Sequence, residues 1–141
     1  MSPMDVKENL VGGLDADGEP TVNWNLGALG GAGCILSNTR DMITFIKANF
    51  KEDQVLQRMR NKTFEVNDHL YIGLGWHINK TIDGQVYYWH NGGTGGYRSI
   101  LIVDIERESG VVILTNVSGF HAKGSDVDEM GFALMKELGK E

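Results

Sequence analysis

The sequence is poor in cysteine and proline and contains no long apolar segment. Its one cysteine, Cys34, excludes an internal disulfide, and the apolar setting GGAGCILS predicts a buried, unreactive thiol. No apolar run approaches the roughly 18 residues of a membrane-spanning helix. The first ten residues, MSPMDVKENL, lack the pattern of a signal peptide. We therefore expect no membrane span, and the cellular location stays unknown.

An excess of positive charge is also lacking. The formal net charge is −6, whereas a protein that binds a nucleic-acid duplex needs a clustered basic face. The densest basic group lies within residues 51–62 and is surrounded by Glu52, Asp53 and Glu65. This pattern is typical of a solvated surface, so we expect no nucleic-acid partner.

Motifs for a metal ion or a nucleotide cofactor are missing as well. The four histidines are scattered, and neither H-E-x-x-H nor C-x-x-C occurs. No G-x-x-x-x-G-K-[ST] loop is present. The D-x-D-G of Asp15 and Asp17 lacks the other ligands of a calcium loop. We predict neither a metal ion nor a cofactor.

Glycine, by contrast, is abundant, with 19 residues. Much of it lies in three clusters, residues 12–13, 27–33 and 92–96, without the fixed period of a repeat. The third cluster belongs to the segment YYWHNGGTGGYRS, residues 87–99, where a strand-like aromatic run ends at His90. Glycine clusters mark places where backbone turns tightly or lies close to another group. This segment is therefore the first candidate for a site.

Three helices are predicted, after an irregular segment over residues 1–36 with a tight turn at Asp17-Gly18. The first helix begins after Ser37, with Ser37 or Thr39 as its cap. A short second helix covers residues 54–60, and the last covers residues 126–138. The stripes expected to face inward are Met42, Phe45, Ile46 and Asn49 in the first helix and Val127, Met130, Leu134 and Leu138 in the last.

Between the second and last helices the pattern becomes that of strands. Four segments are rich in β-branched and aromatic residues: 71–79, 85–90, 97–105 and 110–117. Short connections, Asp83-Gly84 and ERESG, favour antiparallel neighbours. The runs ILIVDI and VVILT indicate strands covered on both faces. We predict one α+β domain over residues 1–141, with a helical and irregular N-terminal segment, an antiparallel sheet and a packed C-terminal helix.

Two interpretations of the glycine segment are open on these grounds. In one, GGTGG is a flexible connection and His90 is a surface side chain. In the other, a ligand lies against the strand that begins after His90. Because glycine lacks Cβ, such a ligand can reach the backbone and accept its N–H hydrogen bonds.

The motifs together resemble the C-terminal part of the serine β-lactamase-related proteins, which comprise class C β-lactamases, penicillin-binding DD-peptidases and related esterases. Their third motif is K-T-G on an inner strand, or H-x-G in many members, and His90-Asn91-Gly92 matches that variant. The segment WHNGGTGGYRS, with ILIVDIERESGVVILTN after it, is similar to the last third of these proteins. GLDADGEP, GAGCILSNTRDMITFI and GLGW resemble preceding stretches in the same order. The resemblance implies a partial β-lactamase/transpeptidase-like fold.

The resemblance also implies acyl transfer. In the family, a serine of S-x-x-K attacks a carbonyl, the lysine and a tyrosine of Y-x-N handle protons, and water hydrolyses the acyl-enzyme. His90 is then expected to line the cleft and to bind a substrate carboxylate or tune the tyrosine, and the backbone N–H of Gly93 to serve as an oxyanion donor. The residues expected to bind substrate are Asn91, Gly92, Thr94 and Arg98. The expected substrate is a small molecule or peptide with a carboxylate.

The sequence departs from the family at its nucleophile. No serine begins S-x-x-K, and no tyrosine begins Y-x-N. The nearest match, Ser37-Asn38-Thr39-Arg40, ends in an arginine that cannot act as a base at neutral pH. Because both motifs lie upstream of the matched region, we expect the chain to be the C-terminal portion of a larger hydrolase domain, or a naturally shortened relative. Its uncovered sheet edge would favour a homo-oligomer or binding of the missing N-terminal segment.

Two functions of different classes follow. The first is an incomplete serine hydrolase, inactive alone, whose full-length parent acts on a β-lactam, a D-alanyl peptide or an ester. Only the family suggests that the parent is periplasmic or secreted. The alternative is a non-catalytic binding or assembly module that retains the cleft. Hydrolysis by another nucleophile, Ser99, is the weakest idea, because its place in an alternating strand predicts a structural hydroxyl.

Overall fold

The computed structural model describes residues 9–140, which are built around a six-stranded antiparallel sheet. Neighbouring strands of this sheet follow one another along the chain, as in a meander. The strands are β1 (Gly13–Leu14) and β2 (Pro20–Thr21), which form a separate pair, and then β3 (Phe64–Asn67), β4 (Leu70–Ile72), β5 (His77–Lys80), β6 (Val86–Gly93), β7 (Arg98–Asp104) and β8 (Ser109–Thr115). The prediction of an α+β fold with an antiparallel sheet is confirmed.

Helices lie on both faces of the sheet. They are α1 (Thr39–Asn49), α2 (Gln54–Met59) and α3 (Asp126–Leu138), and a 3-10 helix spans Gly27–Ala32. On the first face, Ile46 of α1 joins a buried cluster with Leu101 and Val103 of β7. On the second face, α3 packs over Ile100 and Ile102. Strand β7 is therefore covered on both faces, as its continuous apolar run predicts.

One predicted strand, residues 71–79, is wrong. The segment is two strands, β4 and β5, joined by a turn in which Gly75 has a φ of +86°. A Cβ at Gly73 would lie 2.7 Å from the backbone oxygen of Met59, so the turn packs tightly against the end of α2. The apolar pattern continues through this turn because Trp76 is itself buried in the core. The edge strand β3 has no counterpart in the prediction.

The inward face of α3 also differs from the predicted stripe. Met130, Leu134 and Leu138 are 55%, 45% and 46% exposed, while Gly131 and Met135 are buried against the sheet. A Cβ at Gly131 would come within 3.1–3.2 Å of Ile100 and Ile102. The helix thus approaches the sheet at its smallest residue, and the stripe of larger apolar residues lies to one side.

The N-terminal region follows its prediction in part. Gly18 has a φ of +88° and its N–H donates to the Asp15 carbonyl, so the tight turn is confirmed. Residues 1–8 lie outside the described part of the chain. The prediction of a buried Cys34 is wrong: the thiol is exposed, and Ile35 and Leu36 beside it are 87% and 56% exposed, so this apolar segment does not enter the core.

The cap of α1 gives a direct test of this geometry. Asn38, rather than Ser37 or Thr39, is the capping residue, and its Oδ1 accepts from the Asp41 N–H at 3.0 Å. We expect Asn38→Ala to lower the free energy of unfolding by about 1 kcal/mol. Ser37→Ala should change it little, since the Ser37 hydroxyl caps no helical N–H. Urea denaturation followed by circular dichroism measures both, and equal losses would contradict the assignment.

Candidate functional site

The strand that carries His90 does not end where the sequence suggests. β6 continues from Val86 through Gly93, and Gly93 still pairs with Arg98 of β7. The connection is the short turn from Thr94 to Tyr97. The motif His90-Asn91-Gly92 and the predicted oxyanion donor are therefore parts of one extended strand rather than of a loop.

The backbone groups of this strand alternate between its two neighbours. The Thr81 N–H donates to the Gln85 carbonyl at 2.9 Å across the β5–β6 hairpin, so the odd-numbered residues of β6 direct their N–H and C=O groups towards β5. The Thr94 N–H donates to the Tyr97 carbonyl at 2.9 Å, which directs the even-numbered residues towards β7. Asn91 and Gly93 consequently point their backbone groups away from β7.

On that side β5 stops before it reaches them. Its pairing with β6 ends at His77, opposite Trp89. Within the sheet that residues 9–140 form, no strand lies beside residues 90–93 on the β5 side. We call this stretch, residues 90–93, the open edge of β6. The N–H groups of Asn91 and Gly93 on this edge are placed to donate to an acceptor from outside the sheet.

The His90 side chain lies along this open edge. Its Nδ1 is 2.6 Å from the backbone oxygen of Asn91, an atom that can only accept a hydrogen bond. Nδ1 therefore carries the proton and donates it, which leaves Nε2 of the neutral ring unprotonated. The ring is exposed, so Nε2 is a base that a ligand at the edge can reach.

Two of the predicted substrate-binding residues are engaged on the α3 side. Asn91 donates from Nδ2 to Asp128 Oδ2 at 2.8 Å, and Arg98 donates from Nη2 to the same oxygen at 2.6 Å. The side chains of Arg98 and Asp128 are 17% and 22% exposed. Asp128 was missed by the sequence analysis, because an acidic residue in the first turn of a helix ordinarily indicates only the helix dipole. The structure therefore separates Asn91 and Arg98 from His90, and their substrate roles stay predictions.

Several glycines of residues 92–96 lie where other segments of the protein pack closely against the backbone. A Cβ at Gly95 would lie 2.6 Å from Trp24 Nε1, and one at Gly96 would lie 2.9 Å from Thr21 Cγ2. A Cβ at Gly93 would lie 3.2 Å from the Cα of Gly119. Close approach of the chain's own segments thus explains these glycines without a ligand. A Cβ at Gly92 would meet Ser99 Oγ at 3.3 Å.

Thr94 is used mainly within the turn. Its carbonyl accepts from the Gly119 N–H at 3.0 Å, and its hydroxyl accepts from the Gly96 N–H at 3.4 Å. Thr94 and Tyr97 also line a pocket of about 160 Å³ whose other wall includes Trp24 and Cys34. A substrate role for Thr94 stays a prediction.

The described residues contain neither a grouped set of metal-ligand side chains nor a helix that could span a membrane. Across residues 9–140, no three His, Cys, Asp or Glu side chains are grouped as metal ligands. In the same range, no helix has the length and apolar character needed to cross a membrane. The chemistry available at the open edge is that of backbone N–H groups and an imidazole.

The family model described as Beta-lactamase matches residues 2–131. The chain belongs to the β-lactamase family. Among curated proteins, none matches this β-lactamase-family chain significantly.

A solved structure shows the same fold. It is the beta-lactamase/D-alanine carboxypeptidase from Pseudomonas syringae, which superposes with a TM-score of 0.76 over 91% of this chain at 22% sequence identity. The match covers 45% of that protein, so this chain spans less than half of its length. Together with the family match, this fold supports a relationship of the chain to the serine hydrolases.

Proposed function

We propose that this chain supplies the substrate-aligning half of a serine acyl-transfer site. In this proposal the carbonyl oxygen of the substrate accepts a hydrogen bond from the Gly93 N–H, and the substrate lies along the open edge of β6. The serine, lysine and tyrosine that form and hydrolyse the acyl-enzyme come from residues outside these 141. The substrate is a β-lactam, a D-alanyl peptide or an ester.

The observation that carries the proposal is the direction of the Gly93 N–H. It points to a side of β6 where β5 has already ended. A pre-aligned N–H that is free of the strand ladder costs no reorganisation when negative charge develops on a carbonyl oxygen. His90, whose Nδ1 is bonded to the Asn91 carbonyl on the same open edge, adds an unprotonated Nε2, which suits proton exchange with a hydroxyl group or, when protonated, binding of a carboxylate.

The proposal places the nucleophile elsewhere because the sequence contains no S-x-x-K and no Y-x-N. Ser99, the serine nearest the motif, pairs with Gly92 and Leu114 inside the sheet, and neither partner has a side chain that could act as a base. We therefore assign it a structural role. The chain on its own is expected to be inactive.

The outer edge of β8 offers a surface for a complementary segment. The Leu14 N–H donates to the Asn116 carbonyl at 2.8 Å, so the even-numbered residues of β8 direct their backbone groups outward. Gly110, Val112 and Leu114 therefore present three N–H and three C=O groups at the end of the described sheet. Such a row favours addition of a further strand.

The exposed flank of α3 extends this surface. Phe132 and Asp128, on one flank of the helix, contact Trp89 and Asn91 of β6. Met130, Leu134 and Leu138 lie on the opposite flank and so overhang the β8 side. An apolar flank above an unpaired strand fits a partner segment that contributes both a strand and an apolar helix face.

Complementation is the experiment that tests this function. The chain is assayed alone with a chromogenic cephalosporin and a p-nitrophenyl ester, and then with a segment of a β-lactamase-family protein that carries S-x-x-K and Y-x-N. We expect no hydrolysis by the chain alone and hydrolysis on mixing. Hydrolysis by the chain alone would overturn the proposal. Absence of hydrolysis by a mixture that sedimentation shows to be associated would also overturn it.

The α3 flank gives a prediction about association. Leu134→Lys places a charge in the apolar flank, so we expect it to weaken binding of the complementary segment at least tenfold, because burying an unpaired charge is costly. Ala133→Lys is the matched control, since Ala133 is exposed on the outer side of the same helix. Titration calorimetry measures both. Equal weakening by the two substitutions would place the partner elsewhere.

A binding or assembly module is the second candidate, and the missing S-x-x-K favours it. In that case the open edge would hold a carboxylate-bearing ligand without turnover. Calorimetry would support this candidate over the hydrolase if a β-lactam binds to the associated mixture without being hydrolysed.

A further inference from the structure

His77 is the first residue of β5 and lies next to the start of the open edge of β6. It pairs with Trp89 across β5 and β6 and with Ile72 across β4 and β5. Its ring stacks on the Trp89 indole, with ring centroids 4.5 Å apart and an interplanar angle of 27°. Sequence analysis gave no reason to single out this histidine, because the motif contains only His90.

The Trp89 indole, on which the His77 ring stacks, is held in place by contacts of its own. The indole N–H of Trp89 donates to Asn79 Oδ1 at 3.0 Å, and its ring packs edge-on against Phe132 of α3 at 5.4 Å. Trp89 is thus held from β5 and from α3. The position of the His77 ring follows from these contacts.

A second imidazole lies next to this stack. The rings of His77 and His90 have centroids 5.5 Å apart, a separation at which two positive charges would repel each other. His77 Nδ1 is buried and has no hydrogen-bond partner among the described residues. A protonated ring would carry an N–H there without an acceptor, which is unfavourable.

We propose that His77 is a positioning residue for the open edge, whose neutral ring holds His90 with Nδ1–H bonded to the Asn91 carbonyl. When His77 takes up a proton, the two rings repel, and the exposed His90 ring leaves the edge. The use of this arrangement in catalysis rests on the proposed function. The arrangement of the rings does not, and it can be tested on the chain alone.

The charges around His77 agree with this role. Burial lowers the pKa of His77 below its ordinary value of 6.5, and the charge of His90 lowers it further. The elements packed around the ring contribute Ile72 from β4, Trp89 from β6 and, behind the indole, Phe132 from α3, none of which is charged. The carboxylate of Asp128 on α3 is paired with Arg98.

The lowered pKa has a definite consequence for stability. The unfolded chain protonates His77 near pH 6.5, whereas the folded chain does so only at lower pH. Folding stability from this residue is therefore complete above pH 6.5, falls as the pH drops below 6.5, and levels off below the folded pKa.

The first measurement is an NMR titration of the histidine rings of the chain. We expect His77 to titrate below 6.5 and His90→Gln to raise its pKa, because the substitution removes the neighbouring charge. His69→Gln is the control, since His69 is exposed in the β3–β4 turn, and it should leave the pKa of His77 unchanged. An unchanged pKa in His90→Gln would overturn the coupling.

The second measurement follows ring contacts. In the unsubstituted chain, nuclear Overhauser effects between the His90 ring and the ring at position 77 should be present at pH 7.5 and disappear as His77 protonates. In His77→Phe, which keeps an aromatic ring without a titratable group, they should persist to lower pH. Loss at the same pH in both proteins would mean that His90 is released by its own protonation, and His77 would not be a positioning residue. The His90→Gln titration remains decisive if His77→Phe does not fold. Neither measurement depends on hydrolysis, so both test the role of His77 even if the proposed function is wrong.

Discussion

Gly93→Pro should lower kcat of the complemented protein by about 10²–10³-fold, the loss typical of removing one oxyanion donor. Proline removes the backbone N–H of residue 93, which is the proposed donor to the substrate oxygen. The substitution spares the sheet, because that N–H points away from β7 and takes no part in the β6–β7 ladder. The measurement is kcat and KM for p-nitrophenyl ester hydrolysis by the mixture of chain and complementary segment.

Gly93→Ala is the matched control for this prediction. It keeps the N–H but adds a Cβ at 3.2 Å from the Cα of Gly119, so it reports the cost of crowding alone. We expect its kcat to stay within several-fold of the parent. Equal losses in the two variants would trace the effect to packing against Gly119, and the assignment of the oxyanion donor would fall.

The sheet and helices were predictable where one local pattern decides the structure. Residues 126–138 were predicted as a helix and α3 spans Asp126–Leu138, because apolar spacing and an acidic first turn agree there. The two-sided burial of β7 followed from its unbroken apolar run. The face of α3 was not predictable, since periodicity ranks Leu134 above Gly131 while the sheet contact requires the smaller residue.

The candidate site was predictable in composition but not in arrangement. The sequence points to His90 and Gly93, yet the open edge exists only because β5 begins as late as His77, after an unforeseen turn near Gly75. The direction of the Gly93 N–H depends on which residues of β6 bond to β5 and which to β7. This alternation is set by the β5–β6 hairpin and the β6–β7 turn. Neither feature leaves a local pattern in the sequence.

The glycine cluster illustrates how one pattern serves two causes. Its composition suggested that a substrate lies against the backbone. The structure assigns Gly95 and Gly96 to contacts with Trp24 and Thr21 of the N-terminal region. A glycine-rich segment therefore marks close approach, and only the three-dimensional neighbours tell whether a ligand or the chain itself is approaching.

The link between α3 and the two strands is likewise invisible in sequence. Asp128 binds Asn91 and Arg98, which lie 37 and 30 residues away along the chain. Its carboxylate ties β6 and β7 together just behind the open edge. Asp128 thus stabilises the strand that carries His90 and Gly93 without contacting either of them.

Asp128→Ala should accordingly lower the free energy of unfolding by about 2 kcal/mol, between the values typical of an exposed ion pair and of a fully buried one, because the Arg98–Asp128 pair is partly buried. It would leave the guanidinium of Arg98, only 17% exposed, without its carboxylate. Arg98 Nε already has no hydrogen-bond partner among the described residues, so the loss is not compensated locally. Urea denaturation at neutral pH measures the change.

Two further variants separate the charge effect from loss of packing. Glu137→Ala, in an exposed pair with Lys140 at the end of the same helix, should change stability by less than about 0.5 kcal/mol. The double variant Asp128→Ala with Arg98→Met should recover part of the loss, because it also removes the unpaired, partly buried charge of Arg98. If the double variant is less stable than Asp128→Ala, the Arg98 side chain contributes through its packing. The ion pair would then not be what holds β6 and β7 in place behind the open edge.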